Sequence, residues 1–152
     1  MEELRTILLA EDNPKDVELT LEALSEHNLV NQVTVVRDGV DAMEFLRCEG
    51  KYKLRKPVLP AVLLLDIKMP RMDGIEVLRT IRGDPNLKLL PVVILTSSRE
   101  EQDLIRSYEL GVNAYVVKPV DFKDFLQAVK EIGIFWAVIN EIPLQNIISK
   151  GI

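Results

Sequence analysis

Five short apolar runs mark the chain, at Thr6–Ala10, Val33–Val36, Ala61–Leu65, Pro91–Leu95 and Ala114–Val117. Three of them contain ILLA, VLLL and VVIL, which are apolar at every position instead of alternating. Such runs suit strands covered on both faces, because a strand with one wet face would alternate. Between them the apolar residues recur at helical spacing, and each helical stretch opens on a capping residue. Asn13 caps the first with Pro14 behind it, and Val17, Leu21 and Leu24 share one face. Asp38 before Gly39 starts the second, with Ala42, Phe45 and Leu46 inward.

Asp73 caps a third helix carrying Val77, Leu78 and Ile81, which Gly83 and Pro85 stop. Ser98 and Glu101 make a capping-box pattern for a fourth, closed by Gly111. Asp121 and Asp124 open a fifth with Phe122, Phe125, Leu126, Val129 and Ile132. Strict alternation of strand and helix predicts an α/β fold, a parallel sheet with helices on both faces. In such folds function gathers at the carboxyl ends of the strands.

Composition narrows the picture only a little. A length of 152 residues suits one domain with one buried core, and 47% apolar with 28% charged residues is ordinary for a globular chain. A formal charge of −5 gives no sign of nucleic-acid binding. The single cysteine, Cys48, excludes an internal disulfide, fits a reducing compartment and reads as a small core residue of a helix. The N-terminus lacks a signal-peptide pattern, and the longest uncharged apolar run, Ile132 to Ile139, is far short of the ~20 residues that span a bilayer. A cytoplasmic protein with no membrane partner is expected.

The strand ends carry unlike residues: Glu11-Asp12 after the first, Asp66 after the third, Thr96 after the fourth, and Lys118-Pro119 after the fifth. Singly, each reads as ordinary, a capping acid, a loop residue, a strand end or a surface charge. Their joint occurrence in one crevice does not. Two carboxylates ~4 Å apart repel by roughly 4 kcal/mol at an effective dielectric near 20. Either one of them gains a proton or a cation is bound, and oxygen-only donors suit magnesium.

The set Glu11-Asp12, Asp66, Thr96 and Lys118-Pro119, with DIKMPRMDG at the end of the third strand, resembles the receiver domain of two-component response regulators. The resemblance covers about residues 5–131. It implies a flavodoxin-like five-stranded sheet in the order 2-1-3-4-5. It implies that Asp66 accepts a phosphoryl group from a sensor histidine kinase. Asp12, Asp66 and the Lys68 backbone carbonyl would bind Mg2+ (or Mn2+), with Glu11 acting through coordinated water. Lys118 would pair with the phosphoryl oxygens, Thr96 would donate a hydrogen bond to them, and Tyr115 would change rotamer as Thr96 moves. Lys68 and Ser98 occupy positions that influence loss of the phosphoryl group, and the Lys118–Pro119 peptide is expected to be cis.

Three rivals are weighed against this. A haloacid-dehalogenase phosphatase needs a second aspartate two residues after its nucleophile, where Lys68 stands. A flavodoxin-like flavin module needs a phosphate cradle where Glu11 and Asp12 would repel phosphate. A receiver acting only as a docking module would not need the full set of chemical residues.

After the fifth helix begins, only about 30 residues remain, so the expected division is a receiver over residues 1–131 and an extension over 132–152. The C-terminal segment from Glu131, EIGIFWAVINEIPLQNIISKGI, spreads Ile132, Ile134, Phe135, Trp136, Val138 and Ile139 over more than one helical face. A homodimer through Phe125, Ile132, Phe135, Trp136 and Ile139 is expected; a tail folded back on its own domain is the alternative. With CEGKYKLRKPVLP and YVVKPVDF, the extension resembles the single-domain regulators that work with phytochrome-type histidine kinases. Output would then be a protein contact or onward phosphotransfer. The cluster Lys51, Lys53, Arg55 and Lys56 reads as a solvated loop, and His27 as a residue near a helix C-terminus.

Overall fold

The computed structural model describes residues 6–25, 33–134 and 138. Elements alternate along the chain as β1 (Ile7–Ala10), α1 (Pro14–Ser25), β2 (Val33–Val36), α2 (Gly39–Arg47), β3 (Val62–Asp66), α3 (Gly74–Gly83), β4 (Val92–Thr96), α4 (Arg99–Ser107), β5 (Ala114–Val117) and α5 (Phe122–Glu131). All strand pairs are parallel, and the sheet order is β2-β1-β3-β4-β5. This is the expected flavodoxin-like order of a five-stranded parallel sheet.

The unbroken apolar runs are explained by two cores. Ile7, Leu9, Val62, Leu64, Val93, Leu95 and Val116 face α1 and α5, where Val17, Leu24, Phe125 and Val129 meet them. Leu8, Ala10, Leu63, Leu65, Val92 and Ile94 face the other way, toward Phe45, Leu46, Val77, Leu78, Ile81 and Ile105 of α2, α3 and α4. Every residue of β1, β3 and β4 is buried, so no strand of the sheet's centre has a wet face.

Local chemistry starts each helix where the sequence places it. The Asn13 side chain accepts from the Lys15 and Asp16 amides. Asp38, Asp73 and Asp121 accept from the amides of Asp41, Glu76 and Asp124. The capping box at Ser98 is offset by one residue: Ser98 accepts from the Glu101 amide, but Glu101 reaches the Ser97 amide. α4 also stops earlier than expected. It ends at Ser107, and Gly111, at φ +68°, lies in the following loop.

Two readings of the α2–β3 connection are corrected. Cys48 is not a helix core residue; it is the C-cap of α2, half-exposed and left-handed at φ 56°. The basic cluster is only partly solvated. Arg55 lies 4.0 Å over the Phe45 ring and donates to the Phe45 carbonyl at 3.0 and 2.9 Å, which ties the loop to α2. Lys51 pairs with Asp41 at 3.3 Å.

Of the residues assigned to a partner surface, Phe125 is 1% exposed and fills the chain's own core, so its side chain has no surface to offer. Ile132 and Ile134 pack partly against the same core, and Val138 is buried in it. Phe135, Trp136, Ile139 and His27 lie outside the described residues.

Candidate functional site

Side-chain alternation decides what meets at the carboxyl edge of the sheet. Glu11 follows the parity of Ile7 and Leu9, Asp66 that of Val62 and Leu64, and Lys118 that of Ala114 and Val116, all on the α1/α5 side. There α1 lays Asp16 of its first turn over the same edge. The Lys118 Nζ donates to Asp66 Oδ1 at 3.0 Å, Asp16 Oδ2 at 3.1 Å and Glu11 Oε1 at 3.3 Å. Asp12, one residue out of step, is exposed and stands outside this ion-pair cluster.

Backbone bonds hold these residues beyond the strand ends. The Glu11 amide donates to the Val36 carbonyl at 3.0 Å, and the Lys118 amide to the Thr96 carbonyl at 2.7 Å. The Lys118–Pro119 peptide is cis. The free oxygen of Glu11 accepts from the Asn13 amide at 3.2 Å.

The cluster holds more negative charge than Lys118 neutralises. Burial, then the Asp66 carboxylate beside it, push the Glu11 carboxyl up to about 7 from its usual 4.5, although the Asn13 amide and the Lys118 ammonium pull it down. Burial works against the Lys118 charge, but the hydrogen bond and charge of Asp66, with Asp16 and Glu11, raise its pKa above the usual lysine value. Lys118 is therefore a fixed cation. Glu11 takes up a proton near neutrality.

Thr96 ends β4 fully buried, and among the described residues its Oγ1 has no hydrogen-bond partner. Tyr115, in register with Ile94, shares the α2–α4 face with Thr96. It is half-buried, with the Arg106 guanidinium 4.9 Å from its ring, and burial raises its pKa. The Ser98 hydroxyl is engaged in capping α4. Lys68 is exposed, and its carbonyl accepts no backbone hydrogen bond among the described residues.

The loop between β3 and α3 is held from both sides. Arg71, at φ 65°, grips the Asp38 carboxylate at 3.0 and 3.1 Å. A Cβ on Gly39 would lie 2.1 Å from the Met72 carbonyl oxygen, so only glycine permits this loop to rest on the start of α2.

The structure thus brings Glu11, Asp66 and Lys118 together, sets Thr96 at the same sheet edge, and leaves Asp12 and the Lys68 side chain at the surface. Asp16 is the member that sequence reasoning missed. Its signal was present, because a first-turn residue five positions after Glu11 must fold back over the strand end that carries Glu11.

The response regulator receiver domain model matches residues 7–130. The chain belongs to that family. As a receiver it is similar to the bacteriophytochrome response regulator AtBRR, at 58% identity and TM-score 0.87 over 92% of this chain and 100% of that one. It is similar to the cyanobacterial phytochrome response regulator RcpA, solved phosphorylated, at 42% identity and TM-score 0.71 over 88% and 94% of the two chains. Response regulator Rcp1 of Synechocystis is 40% identical over 91% of this chain and 93% of its own. Rcp1 has been solved with Mn2+ bound, at TM-score 0.69 over 91% and 99% of the two chains. The chain is therefore a receiver-type response regulator, a signalling domain, related to phytochrome response regulators. Among the described residues of this receiver no helix is long and apolar enough to cross a membrane.

Proposed function

We propose that this receiver is a phosphoacceptor: Asp66 takes a phosphoryl group from the phosphohistidine of a sensor kinase, of phytochrome type by its relatives, and the acyl phosphate switches a protein contact or passes the group on. The single observation that carries the reading is Lys118 Nζ, 3.0 Å from Asp66 Oδ1. A carboxylate nucleophile held beside a fixed cation is prepared for the charge that an incoming phosphoryl group brings. An Asp66 oxygen forms the new P–O bond while the donor P–N bond breaks; the electron pair leaves with the imidazole, which then takes a proton.

Thr96 suits the same chemistry. Its buried, unpartnered hydroxyl lacks an acceptor that phosphoryl oxygens would supply. Tyr115, beside it on the same face, would follow a movement of Thr96 toward that group.

The donor set fits a divalent cation. Among the described residues no three acidic, histidine or cysteine side chains are clustered as ready ligands. Yet Glu11 and Asp66 face each other buried, and burial, then the Asp66 charge, lifts Glu11 to about 7. Asp12 follows Glu11 in the chain, exposed, and among the described residues the Lys68 carbonyl accepts no backbone hydrogen bond. Asp12, Asp66 and the Lys68 carbonyl would hold Mg2+, or Mn2+ as in Rcp1, with Glu11 acting through water. When bound, the ion supplies charge neutralisation for the phosphoryl oxygens.

The test is incubation with acetyl phosphate and magnesium, followed by intact mass. One acid-labile phosphoryl adduct is expected on the wild type and none on Asp66→Asn. No adduct, or one surviving in Asp66→Asn, would overturn the proposal. Turnover of small phosphoesters is not expected, since Lys68 stands where a phosphatase of this design needs its acid. Self-association through residues 132–152 is part of the reading, now without Phe125. It rests on the apolar Phe135, Trp136 and Ile139. Light scattering at twice the chain mass, weakened by removal of residues 141–152, tests it; a strict monomer sinks it.

A further inference from the structure

Asp16 is given no role by the phosphoacceptor chemistry, yet it holds the cation of the site at 3.1 Å. We propose that Asp16 is a positioning residue acting through Lys118: it holds the ammonium back from an incoming phosphoryl group and so slows uptake at Asp66. This rests on the phosphoacceptor reading and adds a control to it.

An ammonium has three protons to donate. Asp66, Asp16 and Glu11 use all three, at 3.0, 3.1 and 3.3 Å. Phosphoryl oxygens arriving at Asp66 need at least one of them, so an existing bond must break. The three are not equivalent. The Glu11 side chain is 1% exposed and the Asp66 side chain 8%, so bulk water reaches these carboxylates less readily to replace a lost donor. The Asp16 side chain is 29% exposed, at the mouth of the crevice, and water can take over there. The Lys118–Asp16 bond is the one that yields, and its loss enters the barrier to phosphoryl uptake.

Charge acts in the same direction. The Asp16 carboxylate lies one ammonium away from Asp66 and repels an anionic donor. Removing that charge leaves Glu11 and Asp66 to keep Lys118 in place, so the cation stays in the site while one competitor for it is gone.

The test uses full-length wild type, Asp16→Asn and Asp16→Glu, and Asp16→Asn in a Lys118→Gln background. Two quantities are read: calorimetric affinity for beryllofluoride in magnesium, as a phosphoryl mimic, and the rate of labelling by acetyl phosphate. Asp16→Asn is expected to raise both by roughly two- to fivefold, Asp16→Glu to return them toward wild type, and the effect to vanish in Lys118→Gln. An Asp16→Asn protein that binds and labels like wild type, or more weakly, overturns the role. So does a gain that persists without Lys118, which would mark a direct or structural effect. If the wild type itself neither labels nor binds the mimic, the phosphoacceptor reading falls, and this proposal with it.

Discussion

Gly74 stands so close to Asp66 that a Cβ added to it would lie 2.3 Å from the Asp66 carbonyl oxygen. The Ile67 Cα would be at 2.9 Å, so both obstacles are backbone. Gly74→Ala must therefore displace the segment that carries Asp66. A loss of about 1–3 kcal/mol in urea unfolding is expected, together with slower labelling by acetyl phosphate. An unchanged midpoint would mean that the start of α3 gives way freely.

Glu11 makes metal-free stability depend on pH. Its carboxyl is at about 7 when folded and 4.5 when free, so folding favours the protonated form. The corresponding stability is complete below pH 4.5 and is lost as pH rises through 7. In EDTA, the unfolding free energy should fall across this window by roughly 3 kcal/mol, and Glu11→Gln should flatten the profile. A wild-type profile flat from pH 4.5 to 7.5 would contradict the buried, proton-sharing carboxylate.

The Thr96 hydroxyl should cost stability in the resting protein. It is buried without a partner, so Thr96→Val is expected to leave stability unchanged or raise it by about 1 kcal/mol. The same variant should bind beryllofluoride more weakly than wild type. Strong destabilisation on denaturant titration would reveal a hydrogen bond in the resting state.

Arg55 is expected to hold the loop between α2 and β3. Arg55→Ala removes the stack on Phe45 and two bonds to its carbonyl, at a cost of about 1–2 kcal/mol. Limited proteolysis should then cut within residues 48–61 faster, while labelling of Asp66 is kept. Equal cleavage rates would return this loop to the solvated description.

Much of this was legible in the sequence because two periodic signals agreed. Doubly apolar runs fixed the parallel sheet, and capping residues fixed five helix starts to within a residue. Strand-end positions then singled out Glu11, Asp66, Thr96 and Lys118. What escaped depended on direction in space. Glu11 and Asp12 look alike as a pair, but side-chain alternation sends one into the cluster and the other to the surface. Asp16 sits on a helix, so a search along strand ends passes over it. Cys48 was misread because an apolar small residue at a helix end gives no sign that its φ is positive. Phe125 satisfied a surface argument as well as a core one, and only packing chose between them.

The bond from Lys118 to Glu11 joins residues 107 apart in the chain. Glu11 and Asp16 are encoded near the start, Asp66 in mid-chain, and the cation only after all five strands. A nascent or clipped chain lacking β5 would carry Asp66 without the ammonium that pairs with it. On the phosphoacceptor reading, competence to receive a signal would thereby be tied to completion of the fold, and unfinished copies would stay silent.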